Sequence, residues 1–529
     1  MYLLAYFTAL NVFADPKVIN TATTVIESGS SYTGGSGYAA LHVSASGAYY
    51  HGEIGNNVRI TTNDGLESII PHEGLYAAGS GTLLVTGTGV SVRSTSNAAS
   101  VAGGYLDLGR GTELATQFMT IALNTGTIVG VDTKATSQQS GGIRVVNGND
   151  SYLHLVNPNI QVENTVIAIA GSRTAGGDTV HIEGGSIIST AGELIRSGSN
   201  SDGIMMNSGT VIIKNTKVSL GSDNLLVSSG STSVHLIAED TDLPGNIIGS
   251  DTAIIDVTLS GPGSSITGDV FQNDAAVVTV TLNSGATGSG GYTGGNLITG
   301  GDSTWTFDKD SRGNYGENNG TWNIGDYNVT FDNLDHNGTV TISVNSDTGE
   351  GGSITVIDTA DGDGTIHINT TGNGQADPNQ VLPNIVSGDG TEHWQWDPID
   401  WGIDTIIKDG DHFIKSGVSP AGAVLNSSVA IQQAMWFAQQ NSLLKRMGEL
   451  RYGARASRPP AGGTPALHEL IENLWLRSYG QQLNVGSQVS GKAYEQLIYG
   501  VDLGTDHKFT LSADSDLYLG VYAGYGRSD

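Results

Sequence analysis

The chain has 529 residues, a net charge of −29 and no cysteine, and 76 of its residues are glycine. That balance leaves no basic surface to neutralise phosphates, which excludes nucleic acid as an expected partner, and it suits a surface kept soluble outside a cell. The missing cysteines exclude a disulfide framework, and the length calls for several domains or one long solenoid. Apolar β-formers recur throughout, so the composition is not that of a disordered chain.

Residues 1–14, MYLLAYFTALNVFA, carry an apolar run, and Val12-Phe13-Ala14 fits a small-residue cleavage site before Asp15. No Lys or Arg precedes the run, so the segment reads as the remnant of a signal peptide whose start lies upstream, with a buried first strand as the alternative.

From residue 15 to about 345 the chain is repetitive. TVIIKNTKVSL at Thr210, SVHLIAEDTDL at Ser233, AIIDVTLSG at Ala253 and AVVTVTLNSG at Ala276 align at steps of 23, 20 and 23 residues. Looser echoes stand at Gly81 and Thr179. Short β-branched strands split by Gly, Asn, Ser and Asp turns at that period predict a right-handed parallel β-helix, with a β-sandwich as the other candidate fold. Each rung's inward Val, Ile and Leu are buried only when neighbouring rungs are present, so the open end needs a cap. The stretch HWQWDPIDWGIDTIIKDGDHF, with Trp394, Trp396, Trp401 and Phe413, is the candidate cap.

Chemistry-bearing motifs are weak. Gly301-Asp302-Ser303 lacks the Gly-Ser that a serine-protease motif would place next, and His468-Glu469-Leu470-Ile471-Glu472 has Glu where a zinc helix needs its second His. Gly34-Gly35-Ser36-Gly37-Tyr38-Ala39 lacks the liganding Asp of a calcium repeat. Asp358, Asp361 and Asp363 are candidate calcium ligands, with a polar turn as the plainer reading. Glu239, Asp240 and Asp242 read as a solvated turn. No catalytic residue, no cofactor and no enzyme activity are expected, and a surface carbohydrate-active enzyme or a purely structural surface protein stands as the alternative.

NSSVAIQQAMWFAQQNSLLKRMGELRYG predicts a helix over 427–451, capped by Asn426 or Ser427. At 1.5 Å per residue it would span about 37 Å. Its Gln432, Gln433, Gln439, Gln440 and Asn441 are too polar for lipid; a solvent-exposed linker helix is the plainer reading, and the Gly-lined strands that follow favour a helix inside a pore, with Met435, Phe437, Leu444 and Met447 as its candidate packing residues. A Pro/Gly linker, RPPAGG, follows at 458–463. Then the pattern changes to period two. Leu474 and Leu476 alternate with Trp475, Arg477 and Tyr479; Leu497, Tyr499, Val501 and Leu503 alternate with Gln496, Ile498, Gly500, Asp502 and Gly504; Leu517, Leu519, Val521, Ala523 and Tyr525 alternate with Tyr518, Gly520, Tyr522, Gly524 and Gly526. One greasy and one polar or small face per strand suits a transmembrane barrel. A Gly row weakens a strand unless something approaches that face closely.

NLWLRSYG, YEQLIYGVDLGTDHKF and LYLGVYAGYGRSD resemble the opening strands of the translocator barrel of type V autotransporters, the pertactin and AIDA-like family. AMWFAQQNSLLKRMGELR resembles that family's linker helix, and GGSITVIDTADGDGTIHINTTGNG with DWGIDTIIKDGDHFIKSG resembles its passenger end and junction. The resemblance runs from about Gly325 onward. It implies a β-helix passenger over 15–345, an autochaperone-like junction over 346–418, linker helix and linker over 419–465, and the first three to four barrel strands over 466–529. Family barrels close with more strands than these, so the chain reads as part of a longer protein. The resemblance further implies outer-membrane lipid and the barrel-assembly machinery as partners, and surface display or release of the passenger. Adhesion to host or matrix glycans or proteins, or self-association, is the expected activity.

Overall fold

The computed structural model describes residues 73–456, apart from 95–96, 118, 139–140, 147–149, 171–176 and 199–207, and residues 474–528, apart from 487–492 and 513–514. Before residue 73 it describes only the backbone of short strands between 17 and 62. The expected signal remnant, the RPPAGG linker, the His468–Glu472 motif and most of the Gly34–Ala39 stretch lie outside the described residues.

Two compact units divide the chain: one takes in residues 1–343, 351–368 and 382–396, the other residues 344–350, 369–381 and 397–529. The first is a parallel β-solenoid. Its strands stack into one 28-stranded sheet and two 8-stranded sheets, and the described strands pair in parallel from rung to rung, apart from one isolated antiparallel bridge between Ala78 and Gly103. That pattern sets the β-sandwich aside, because sandwiches are built from antiparallel pairs.

The inward residues form columns. Leu106, Ile128, Leu153, Val180, Val211 and Leu236 are ladder partners from rung to rung, and each is buried. At roughly 2 kcal/mol per buried aliphatic, a rung is stabilised only while its neighbours cover it.

In six successive rungs one corner turns through the left-handed region. Asp132, Asn157, Gly184, Asn215, Asp240 and Gly261 all have positive φ, from 46° to 94°. The N–H of each donates to a carbonyl of the following rung. Gly, Asn and Asp are the residues that tolerate this conformation, which explains the turn composition. The same corners give the true rung lengths: 21 residues from Asp240 to Gly261, but 31 from Gly184 to Asn215. The period of 20 to 23 therefore describes only part of the solenoid.

The register also corrects the alignment. Thr210 pairs with His235, not Ser233, and Ser233 pairs with Ile254, not Ala253. Ile254 with Val277 agrees with the step of 23. A slip of one residue reverses every side chain, so tertiary pairing had to decide between them.

A buried aromatic run fills the solenoid between Tyr292 and Phe331. Trp305 and Trp322 are ladder partners, Phe307 lies 5.9 Å from Trp322, and Trp322 stacks on Phe331 at 5.0 Å. Both indole N–H groups are satisfied, Trp305 donating to Gly290 O (3.2 Å) and Trp322 to Thr299 Oγ1 (3.0 Å). Gly288 faces Trp305 across one rung and leaves the space the indole occupies. The candidate cap at Trp394, Trp396 and Trp401 does not include this run. The signal was available in Trp305 and Trp322, 17 residues apart in successive repeats.

The expected cap is divided. Trp394 and the half-buried Trp396 belong to the solenoid unit, whereas Trp401 and Phe413 belong to the second unit. Trp394 is buried and donates through Nε1 to Asp361 O at 3.3 Å. In the second unit, strands Ile399–Trp401, Asp404–Asp409 and His412–Val418 form an antiparallel meander. Trp401 donates to Ala376 O (2.9 Å), and Asn379 holds Phe413 from both sides, accepting from its N–H (2.7 Å) and donating to its carbonyl (3.0 Å).

Candidate functional site

The second unit continues into a helix over Pro420–Ala456, longer at both ends than the expected 427–451. Ser419 caps it: its Oγ accepts from Gly422 N–H (3.1 Å) and donates to Gly402 O (2.6 Å). Pro420 follows at the first helical position, where a missing N–H costs nothing. Asn426 and Ser427 are not caps; Ser427 sits inside the helix and donates back to Val424 O at 3.2 Å. No helix among the described residues is long and apolar enough to cross a bilayer.

Three antiparallel strands accompany the helix: Leu474–Val485, Tyr494–Ser512 and Ser515–Ser528. They are 12, 19 and 14 residues long. Three strands are described where three to four were expected.

The sheet has its polarity turned inside out. Leu476, Leu497, Val501, Leu503 and Val521 stand exposed, Val521 at 73%, while Gln496 and Asp502 are buried at 2% and 1%. A water-soluble sheet arranges these the other way. Apolar side chains exposed in rows on three consecutive strands form a patch that lipid or another protein surface must cover.

The helix lies against the polar face. Arg446 Nε donates to Asp506 Oδ2 at 2.7 Å, with both side chains mostly buried. Arg477 Nη1 donates to Ser442 O at 2.7 Å, and the same guanidinium pairs with Glu449. Arg446 also reaches over the Trp475 ring at 5.8 Å. Two arginines, Glu449 and Asp506 thus join helix to sheet by charge-assisted bonds in a partly water-excluded setting, where such bonds are strong. Both carboxylate oxygens of Asp502 lack a partner among the described residues.

The packing residues of the helix differ from those expected. Phe437, Leu444 and Met447 are exposed and Met435 is half-buried. The sheet is met instead by Ala438, Ser442 and Arg446, which share one helix face at spacing i, i+4, i+8. Small residues let the backbone come close, and apolar content gave no hint of that.

The inner-face residues do come together, for a different reason than expected. Trp475 lies opposite Gly504 and Tyr479 opposite Gly500 in the strand register. A Cβ at either glycine would enter the facing ring, and at Gly520 and Gly524 it would enter the carboxylates of Asp506 and Asp502. The glycines make room for cross-strand aromatics and acids, which is how aromatic residues cover glycines in curved sheets.

The remaining candidates stay apart. Asp358, Asp361 and Asp363 form no metal-sized group among the described residues. Asp361 Oδ1 instead accepts from Gly362 N–H at 2.8 Å, as a turn does. Ser303 is buried in a turn, its N–H donating to Gly300 O. Glu239 pairs with Lys214 and Asp242 accepts from Ser265 Oγ.

No family model matches the chain. It is 33% identical over 107 residues to the pertactin autotransporter of Bordetella bronchiseptica (strain ATCC BAA-588 / NCTC 13252 / RB50), and equally to that of Bordetella parapertussis (strain 12822 / ATCC BAA-587 / NCTC 13253). The match covers 20% of this chain and 10% of each relative, so the chain corresponds to a small part of the curated relatives' length. The crystal structure of the autotransporter UpaB from E. coli strain CFT073 aligns with 77% of this chain and 99% of its own, at 14% identity and a TM-score of 0.47, too loose a likeness to carry an argument. The matched segment is similar to these pertactin autotransporters, and the described elements run solenoid, helix and antiparallel strands in that order.

Proposed function

We propose that this pertactin-like chain is the passenger, junction, linker helix and leading barrel strands of an outer-membrane autotransporter. The single observation that carries the membrane part is the inverted sheet, with Leu476, Val501 and Val521 exposed and Gln496 and Asp502 buried on the side where the helix lies. A closed barrel built on these strands would turn the apolar face to lipid and keep the helix in its lumen. The solenoid then stands outside the cell, attached or released. Rungs that are stable only on a neighbour fold in sequence, so a chain emerging end-first can be templated coil by coil without an energy source in the periplasm.

The passenger's activity in this reading is binding rather than catalysis: adhesion to glycans or proteins, or association with other copies of itself. The acidic, cysteine-free, ladder-built surface supports that reading. Ser303, Glu239 and Asp242 each sit in local turn or ladder contacts, which adds nothing in favour of catalysis.

Expression of the full gene in an outer-membrane-bearing bacterium tests the proposal. Added protease should degrade the solenoid on intact cells and leave a membrane-protected fragment carrying residues 474–528. A solenoid protected on intact cells and recovered in a soluble fraction would refute it. Incubating the displayed protein with plant and host polysaccharides then separates binding, the expected result, from turnover.

A further inference from the structure

We propose that His154, His181 and Glu183 form a binding site for a divalent transition-metal ion on the outer face of the solenoid. His154 lies on strand Tyr152–Val156 and His181 on strand Asp178–Glu183, and the two are ladder partners on successive rungs. The flanking Leu153, Leu155, Val180 and Ile182 point inward, so both imidazoles and Glu183, two residues beyond His181, share the outer face. The imidazole ring centroids are 4.5 Å apart with planes inclined by 12°. Among the described residues, these three are the group of His, Asp or Glu whose ligand atoms all lie within 4.8 Å of one another.

A second observation is independent of that proximity. The Nε2 atoms of both histidines are buried, yet neither has a hydrogen-bond partner among the described residues. Other buried polar atoms, Asp502's among them, also lack a partner, but these two imidazole nitrogens stand beside each other and a carboxylate, where an ion would sit. Lys214, the ladder partner of Glu183 on the next rung, is bonded to Glu239 at 2.6 Å, and its charge also acts on Glu183. His154 Nε2 and Glu183 Oε2 already stand 3.8 Å apart.

The donor set chooses the metal. Two imidazoles and one carboxylate suit zinc, copper or nickel, whereas calcium and magnesium take oxygen. Bonds of about 2.0–2.1 Å require the donors to close by roughly 1 Å, and parallel rings must turn so that both lone pairs meet one point. The ion would clip one rung to the next across residues 27 apart in sequence.

The test uses the full chain in detergent, with zinc alone as the titrant in chelator-free buffer. One zinc per chain is expected, with affinity at least tenfold weaker in His154→Phe and in His181→Phe. Phenylalanine keeps the ring stack and removes the ligand, so β-sheet circular dichroism should not change. Copper(II) paramagnetic resonance on the unmodified chain gives a second readout that needs no variant, with couplings from two nitrogens expected. No zinc uptake, or equal uptake by the double variant, would overturn the site, as would a copper spectrum without nitrogen coupling.

Discussion

His336 packs edge-on against Trp394, with ring centroids 4.8 Å apart and planes at 82°. The imidazole is fully buried, shares a hydrogen bond with Asn318 Nδ2 (3.2 Å), and contacts Thr365 O at 3.3 Å. Burial pushes its pKa down from 6.5 to about 4, with the Thr365 carbonyl only partly offsetting that. The last rungs of the solenoid are therefore built around a histidine that must stay neutral.

A pH dependence follows from this. Above pH 6.5 both folded and unfolded chains hold the ring neutral. As pH falls from 6.5 to about 4 the unfolded chain takes up a proton that the folded chain refuses. Stability attributable to His336 should thus fall through that window by about 3 kcal/mol and level off below it. Chemical denaturation at stepped pH, compared with His336→Gln, checks this: the variant should show a flatter profile, and identical slopes would remove His336 as the cause.

Trp322→Ala should destabilise the solenoid by about 3–5 kcal/mol, since it empties the centre of the buried aromatic run and removes the indole donor to Thr299 Oγ1. Ile254→Ala, on the same solenoid but 44% exposed, should change stability by no more than about 0.5 kcal/mol. Thermal melts of both variants measure the difference; comparable losses would mean that the aromatic run is not a special part of the core.

Val501→Arg separates lipid from water around the inverted sheet. In water a 47% exposed position tolerates the change within about 0.5 kcal/mol. Facing the middle of a bilayer, arginine costs about 2–4 kcal/mol. The yield of membrane-inserted, heat-modifiable full-length protein should drop sharply, and an unchanged yield would argue that this face meets no lipid.

Asp506→Ala leaves Arg446 mostly buried without its main partner. Breaking such a pair from one side costs about 3–5 kcal/mol, so the helix should lose its seat on the sheet. Crosslinking between engineered cysteines at Ala438 and a facing strand position should fall in this variant. Arg446→Met with Asp506→Leu should restore part of it, a rescue not expected if the pair merely decorates the surface.

Trp401→Ala and Asn379→Ala each remove an anchor of the junction meander, the indole bond to Ala376 and the two-sided hold on Phe413. Both should lower surface display more than Leu83→Ala, a buried change near the other end of the solenoid. Leu83 is the proper control because it is buried, whereas its neighbour Leu84 is only half-buried. Equal losses by flow cytometry would remove the idea that folding starts at the junction.

Local chemistry alone determined several features of this protein. Val, Ile and Leu at period two make strands whatever their partners, so Leu476, Val501 and Val521 were readable as one face from their spacing. Positive-φ corners favour Gly, Asn or Asp, so the turns at Asn157, Asn215 and Asp240 showed themselves in composition. Contacts between residues far apart in sequence were decided only by the tertiary structure. Whether Ser233 pairs with Ala253 or Ile254 depends on a whole ladder, because one step of slip turns the hydrophobic set outward. That Ala438 and Ser442 seat the helix, while Phe437 and Leu444 do not, depends on which face the sheet leaves open. The meeting of His154 and His181 depends on a rung length that no fixed repeat predicts. Periodicity specifies which way a side chain points within its own strand; only packing specifies what it finds there.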